Sequence, residues 1–282
     1  MNMLSVLLGE DFIKARKAWL YPTEPMQGLL RSLMVVVPIV VFYLVLQGAF
    51  TFLFDVLIYG ADQQSILNGI SGLKAQDFTN PDTFNMMKST ILSIFPAALP
   101  CTILAVLASH LGLVQSKGTI PLHWPKIGAL GWLSILIFFL VSMMVLTQVL
   151  ALVVPSDWVE SGPLEKSIAM LANDKALAPY ILAGAVLGAP LIEEVLFRGI
   201  LFAGLINTSL GRVGTVIVTS IAWSSLHLLG GTPLLSVGLL VLMGLVLGVL
   251  LLRFGSLWVT IACHASWNLM STLLLFQLGT GQ

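Results

Sequence analysis

Three ionisable side chains, Glu193, Glu194 and Arg198, stand together in the run Ala189-Pro190-Leu191-Ile192-Glu193-Glu194-Val195-Leu196-Phe197-Arg198. At the centre of a bilayer an ionisable group costs roughly 2.5–3.5 kcal/mol even on the lenient insertion scale, so a cluster of three marks function there. Glu194 and Arg198 are four residues apart with the acid first, the favourable order for an ion pair on one helix face. Glu193 points about 100° away. The guanidinium therefore neutralises Glu194 more readily and leaves Glu193 as the carboxylate free for other work.

Two further helices offer partners for that carboxylate. Trp223 and His227 are four apart and share a face, as do His264 and Asn268. A carboxylate and an imidazole in a water-accessible cavity can together act as general base on a water molecule. A second imidazole and a carboxamide on one face can donate hydrogen bonds to the oxyanion formed when water attacks an amide carbonyl. Peptide hydrolysis needs both halves. The remaining histidines, His110 and His123, fall at or beyond a helix end, where a solvated role is expected. Cys263 adjoins His264 but points about 100° off its face, which argues against a thiol nucleophile. Gly69-Ile70-Ser71-Gly72 resembles the nucleophile motif of rhomboid proteases but sits in a polar loop, outside any span.

The elements that must carry these groups follow from composition. Only 9% of the 282 residues are Asp, Glu, Lys or Arg, and 57% are apolar. Mean hydropathy is +0.99. A globule of this length cannot hide so much apolar surface, so side chains must face lipid. A soluble enzyme, a nucleic-acid binder and a disordered chain are excluded. Thirteen positive and thirteen negative residues cancel, and two cysteines cannot build a disulfide framework.

A helix needs about 20 apolar residues to cross the hydrocarbon. Uncharged stretches place seven helices near 33–58, 88–112, 128–154, 178–206, 213–229, 234–252 and 256–278. Gly230-Gly231-Thr232-Pro233 divides an uncharged run twice the spanning length. The fourth helix joins two short apolar stretches across the acids. At about 1.5 Å per residue from one set of helix ends, Glu193 and His227 both lie roughly 20 Å deep, and Asn268 roughly 18 Å. Pro190 can open the helix just before the acids, freeing carbonyls toward a cavity. Gly184 with Gly188, and Gly244 with Gly248, have the spacing that lets membrane helices approach closely.

The expected fold is all-α, a polytopic membrane helix bundle of about seven to eight spans. Residues 1–30 read as an amphipathic N-terminal interfacial segment and 31–282 as the bundle, with the catalytic core in 178–278. Eight Lys/Arg (Lys14, Arg16, Lys17, Arg31, Lys117, Lys126, Arg212, Arg253) fall on one side and four (Lys74, Lys88, Lys166, Lys175) on the other. That asymmetry orients the N-terminus to the cytoplasm. The expected location is the plasma (inner) membrane of a prokaryote. Apolar positions in the loops at 59–87 (Ile66, Ile70, Leu73) and 155–177 (Ile168, Leu171, Leu177) are spaced to lie flat on the membrane. Asp55 reads as interfacial.

These three groups of residues resemble the motifs of the CPBP family, the CAAX proteases and bacteriocin-processing enzymes, which are related to the type II CAAX prenyl endopeptidases. Glu193, Glu194 and Arg198 match its Glu-Glu-x-x-x-Arg. Trp223 and His227 match its aromatic-x-x-x-His, where phenylalanine is usual, and His264 and Asn268 match its His-x-x-x-Asn/Asp. The resemblance covers about 178–278. It implies an eight-helix intramembrane glutamic endopeptidase in which Glu193 and His227 activate water and His264 and Asn268 form the oxyanion hole. No cofactor is expected. Zinc is conceivable with two histidines and two carboxylates, but Arg198 beside the acids and the lack of His-Glu-x-x-His disfavour it. The expected partners are the lipid bilayer and a peptide or protein substrate at the membrane, with no nucleic acid; oligomeric state is unreadable. Two other readings stand beside hydrolysis: a non-proteolytic protein of the same fold (bacteriocin immunity or a scaffold), and a transporter or channel with the charges as an ion path.

Overall fold

In hydrocarbon every backbone N–H and C=O must be satisfied within its own segment, so long apolar runs become helices. The computed structural model describes residues 25–75, 77, 79–114, 120–153, 168, 169, 171 and 176–279. The helices that matter here are α1 (Pro25–Tyr59), α2 (Gln63–Ala75), α3 (Pro81–His110), α4 (Ala129–Val153), α5 (Ala178–Leu205), α6 (Gly211–Gly230), α7 (Leu234–Phe254) and α8 (Leu257–Gly279). All but α2 are long and apolar enough to cross a membrane, seven spans among the described residues. No strand occurs among those residues. The protein is an all-α, multi-pass membrane bundle.

Each expected span coincides with one of these helices, but α1 and α3 begin earlier than expected, at Pro25 and Pro81. A charge ends contact with lipid; it does not end a helix. The start of α3 is set by capping: the Asn80 side chain accepts from the Asp82 N–H at 2.9 Å, and Pro81 supplies a pre-set φ. The eighth span implied by the resemblance is not found among the described residues. Residues 25–30 of the expected amphipathic segment belong to α1, and the rest of it lies outside the described residues.

One expectation for the loops is corrected. Ile168, Leu171 and Leu177 are buried against Met87, Ile91 and Ile181 in a small core of their own rather than lying on the membrane. Their apolar spacing was real, but α3 and α5 supply a protein surface to bury it against. Asp55, close to the end of α1, is buried: it is 2% exposed and accepts a hydrogen bond from Ser89 Oγ at 3.2 Å. Ser89 on α3 faces it across the α1–α3 contact, which position along α1 could not reveal. The 59–87 loop folds into α2, which starts where Asp62 accepts the Ser65 N–H at 2.8 Å. Gly72 of the rhomboid-like motif is a packing residue, since a Cβ there would overlap Thr83 of α3.

α5 is the central element, with half of its most apolar window buried against 17% for α1. It packs on α1, α3, α6 and α8. Close approach explains the glycine pairs. A Cβ on Gly188 would stand 3.2 Å from the Phe95 backbone of α3, and one on Gly244 would stand 2.8 Å from Ser220 Cβ of α6. The long uncharged run breaks where expected: Gly231 takes a left-handed conformation (φ +78°) and Pro233 precedes α7.

Candidate active site

The π-helical turns inside α5 shape the site. Ala183–Gly188 and Glu194–Leu201 both adopt i→i+5 hydrogen bonding, a form concentrated at functional sites. In the first, the Ala189 N–H bonds the Gly184 carbonyl. The next bond in that register would reach the Ala185 carbonyl from residue 190, which is proline and has no N–H. That carbonyl is taken instead by Asn268 Nδ2 of α8 at 2.7 Å. Pro190 thus opens a carbonyl, as its position suggested, and the opened group fixes Asn268. One amide hydrogen and the amide oxygen of Asn268 remain for other partners.

α8 is held in place at its other end. The Leu257 N–H bonds the Pro121 carbonyl at 2.9 Å, Ser256 Oγ the His123 carbonyl at 2.8 Å, and Trp258 Nε1 the Leu122 carbonyl at 2.8 Å. The Trp124 ring packs on Trp132 and Trp258 at centroid distances of 5.3 and 5.9 Å. The 120–128 segment therefore anchors the helix that carries His264 and Asn268.

The charges sort as their spacing predicted. Arg198 Nη1 bonds Glu194 Oε1 at 3.1 Å, with both side chains at zero exposure. His264 Nδ1 lies 3.0 Å from the same oxygen. A carboxylate only accepts, so Nδ1 carries the hydrogen. His264 Nε2 lies 3.8 Å from Glu193 Oε2. His264 thereby bridges the two carboxylates. Glu193 remains the accessible acid, its side chain 24% exposed, yet it is not free as expected. Trp223 Nε1 donates to its Oε2 at 2.6 Å.

Trp223 is the largest fully buried side chain among the described residues. The Arg198 guanidinium stacks on its ring at 4.5 Å, and the rings of His227 and His264 meet it edge-on at 5.2 and 5.3 Å. The sequence marked Trp223 only as the aromatic partner of His227. The signal that could have found more was its indole N–H, since a buried tryptophan in lipid must place that donor. His227 Nδ1 lies 3.3 Å from the Trp223 carbonyl. That contact requires the Nδ1–H tautomer and leaves Nε2 with its lone pair.

Two cavities meet here. One, of about 310 Å³ and mostly apolar, runs between α1, α5 and α6 past Val40, Tyr43 and Leu44. The other, of about 260 Å³, lies toward α3 and α8 and is lined by His264, Asn268, Ser271 and Thr272. Glu193, Trp223 and His227 line both. All six sequence-derived site residues are thus brought together, four of them on cavity walls and Glu194 and Arg198 buried behind. Tyr43 on α1 is an unforeseen neighbour. Among the described residues no three of His, Cys, Asp and Glu are grouped to hold a metal ion.

Residues 175–270 match the family model described as Type II CAAX prenyl endopeptidase Rce1-like. In this segment the chain is similar to the CPBP/CAAX proteases. The match spans α5 to most of α8 and contains Trp223 and all six sequence-derived site residues. No curated protein and no solved structure matches the chain. The relationship supports, in general terms, a membrane-embedded protease of CAAX type.

Proposed function

We propose that the protein is a glutamate-dependent intramembrane endopeptidase that hydrolyses a peptide bond of a membrane-associated or lipidated peptide. The observation that carries this reading is that Glu193, Trp223, His227, His264 and Asn268, from three helices, line a single cavity. Glu193 takes one proton from a water molecule whose other hydrogen is accepted by the Nε2 lone pair of His227, and the water oxygen attacks the carbonyl carbon. The oxyanion accepts from the spare amide hydrogen of Asn268 and from Nε2–H of His264. The protonated base then delivers its hydrogen to the leaving amine.

The supporting architecture divides the labour. Arg198 neutralises Glu194, and Glu194 orients His264 through Nδ1, so one acid is structural and the other reactive. The cavity toward α8, with the polar groups of His264, Asn268, Ser271 and Thr272 on its wall, suits a peptide backbone, and the cavity past Val40 and Leu44 suits a large apolar side chain or lipid chain beside the reacting bond. Water activation needs no metal in this scheme. Arg198 stands where a cation would have to share Glu194, which the donor set does not favour. Retention of cleavage in chelator tests that point.

Comparative membrane peptidomics of cells carrying wild-type or Glu193→Gln protein tests the reading. Peptides that appear only with the wild type identify substrates. An equal peptide inventory, together with full biological complementation by Glu193→Gln, refutes hydrolysis and favours a scaffold or immunity role.

A further inference from the structure

The indole N–H of Trp223 has a consequence beyond packing. Its bond to Glu193 Oε2 is short, 2.6 Å, as charge-assisted bonds are. Trp223 itself is immobilised: it is 1% exposed, stacked under Arg198 and flanked by two imidazoles. Arg198 is fixed in turn by Glu194. Glu193, by contrast, is a flexible side chain on a cavity wall, 24% exposed, and without a tether its carboxylate would sample several rotamers. Both groups near Glu193 sit on the same oxygen, since His264 Nε2 also approaches Oε2. Oε1 takes part in neither contact.

Resting on the hydrolase reading above, we propose that Trp223 is a positioning residue: its N–H holds Glu193 Oε2, so that Oε1 is the oxygen that takes the proton from water. A phenylalanine here would fill much of the same space and still carry the guanidinium on its face, but it offers no donor. The tryptophan therefore serves the base as well as the core. The proton moves from water to Oε1 and the Trp223 hydrogen stays on nitrogen, so no further reactant is required.

Full-length protein in proteoliposomes decides the matter with two variants: Trp223→Phe, and benzothienylalanine at position 223, which keeps the fused ring and lacks the N–H. Freed to rotate, the carboxylate misplaces its oxygen by an ångström or more, which costs about 10- to 100-fold in rate. The expected result is a loss of that size in kcat for both variants, with KM within about twofold and the melting temperature nearly unchanged. Ultraviolet resonance Raman spectra should show a strongly bonded indole N–H in the wild type that Glu193→Ala removes. Wild-type kcat in the benzothienylalanine protein, or an indole band unaltered by Glu193→Ala, overturns the assignment. A fall of kcat, KM and melting temperature in step makes Trp223 merely structural and overturns it too. Failure of the wild-type protein to cleave any peptide overturns the hydrolase reading first, and the assignment with it.

Discussion

Arg198 and Glu194 form a buried pair whose dissection has a calculable outcome. The two side chains have no exposure, and Nη1 stands 3.1 Å from Oε1. Arg198→Met keeps most of the volume but strands a carboxylate in the bundle core, where His264 Nδ1 at 3.0 Å stays as a partner. Removing one member of a buried pair costs about 3–5 kcal/mol. Because His264 stays, we expect the lower end, about 3 kcal/mol. At about 2 °C per kcal/mol for a chain of this size, that is a fall of about 6 °C in Tm. Arg198 also leaves Nε and Nη2 without a hydrogen-bond partner among the described residues, so the pair is costly to keep as well as to break. Adding Glu194→Gln to Arg198→Met should therefore recover most of the loss, to within about 1 kcal/mol of wild type. Thermal melts of the purified protein in detergent, for the two single variants and the double, measure this. An Arg198→Met protein that melts like wild type, or a double variant whose losses simply add, would refute the argument.

Further outcomes follow from other parts of the bundle. Asn268→Ala should lower kcat about 10²- to 10³-fold in a peptide-cleavage assay while leaving the fold intact, because one oxyanion donor is lost. Gly244→Val should destabilise the bundle by about 1–3 kcal/mol in the same melts, since the new Cβ would stand 2.8 Å from Ser220 Cβ and 3.1 Å from its Cα. Asp62 is held below the ordinary carboxylate range by the Ser65 backbone N–H it accepts. A depressed folded value means its cap is fully present above the unfolded value and is lost as pH falls below it; amide-exchange protection of Gln63–Ala75 should hold at pH 6 and weaken below about pH 4. For orientation, Lys74→Cys should react with an impermeant thiol reagent from outside the cell and Lys126→Cys only after permeabilisation, both native cysteines being buried; the reverse pattern inverts the proposed topology.

The Glu194–Arg198 pair was readable because it is local: four residues on one helix fix the geometry, whatever the rest of the chain does. The spans were readable because lipid imposes length and apolarity on each segment separately. The near-equal depths of Glu193, His227 and Asn268 followed from helix rise alone, and the three do meet. The Trp223–Glu193 bond was not readable, since it joins positions 30 apart through a rotation of α6 against α5 that only packing sets. The same holds for His264, whose ring nitrogens reach both acids across 70 residues of sequence. The π turns of α5 were hidden for another reason. Pro190 announced a missing N–H, but whether the helix would kink or widen depended on what α8 offered the orphaned carbonyl.

What the residues alone determined is the solvent, the number of visible crossings and the identity of the polar groups, because a bilayer penalises each buried charge and each unpaired amide independently of its neighbours. What the tertiary structure decided is which oxygen of which acid is held and which is left open. That choice depends on interhelical approaches of a few ångströms, set by glycines pressed against Phe95 and Ser220 and by an aromatic clasp around the start of α8. Spacing within a helix repeats every turn, whereas spacing between helices has no repeat and must be fixed by the packing of the whole bundle.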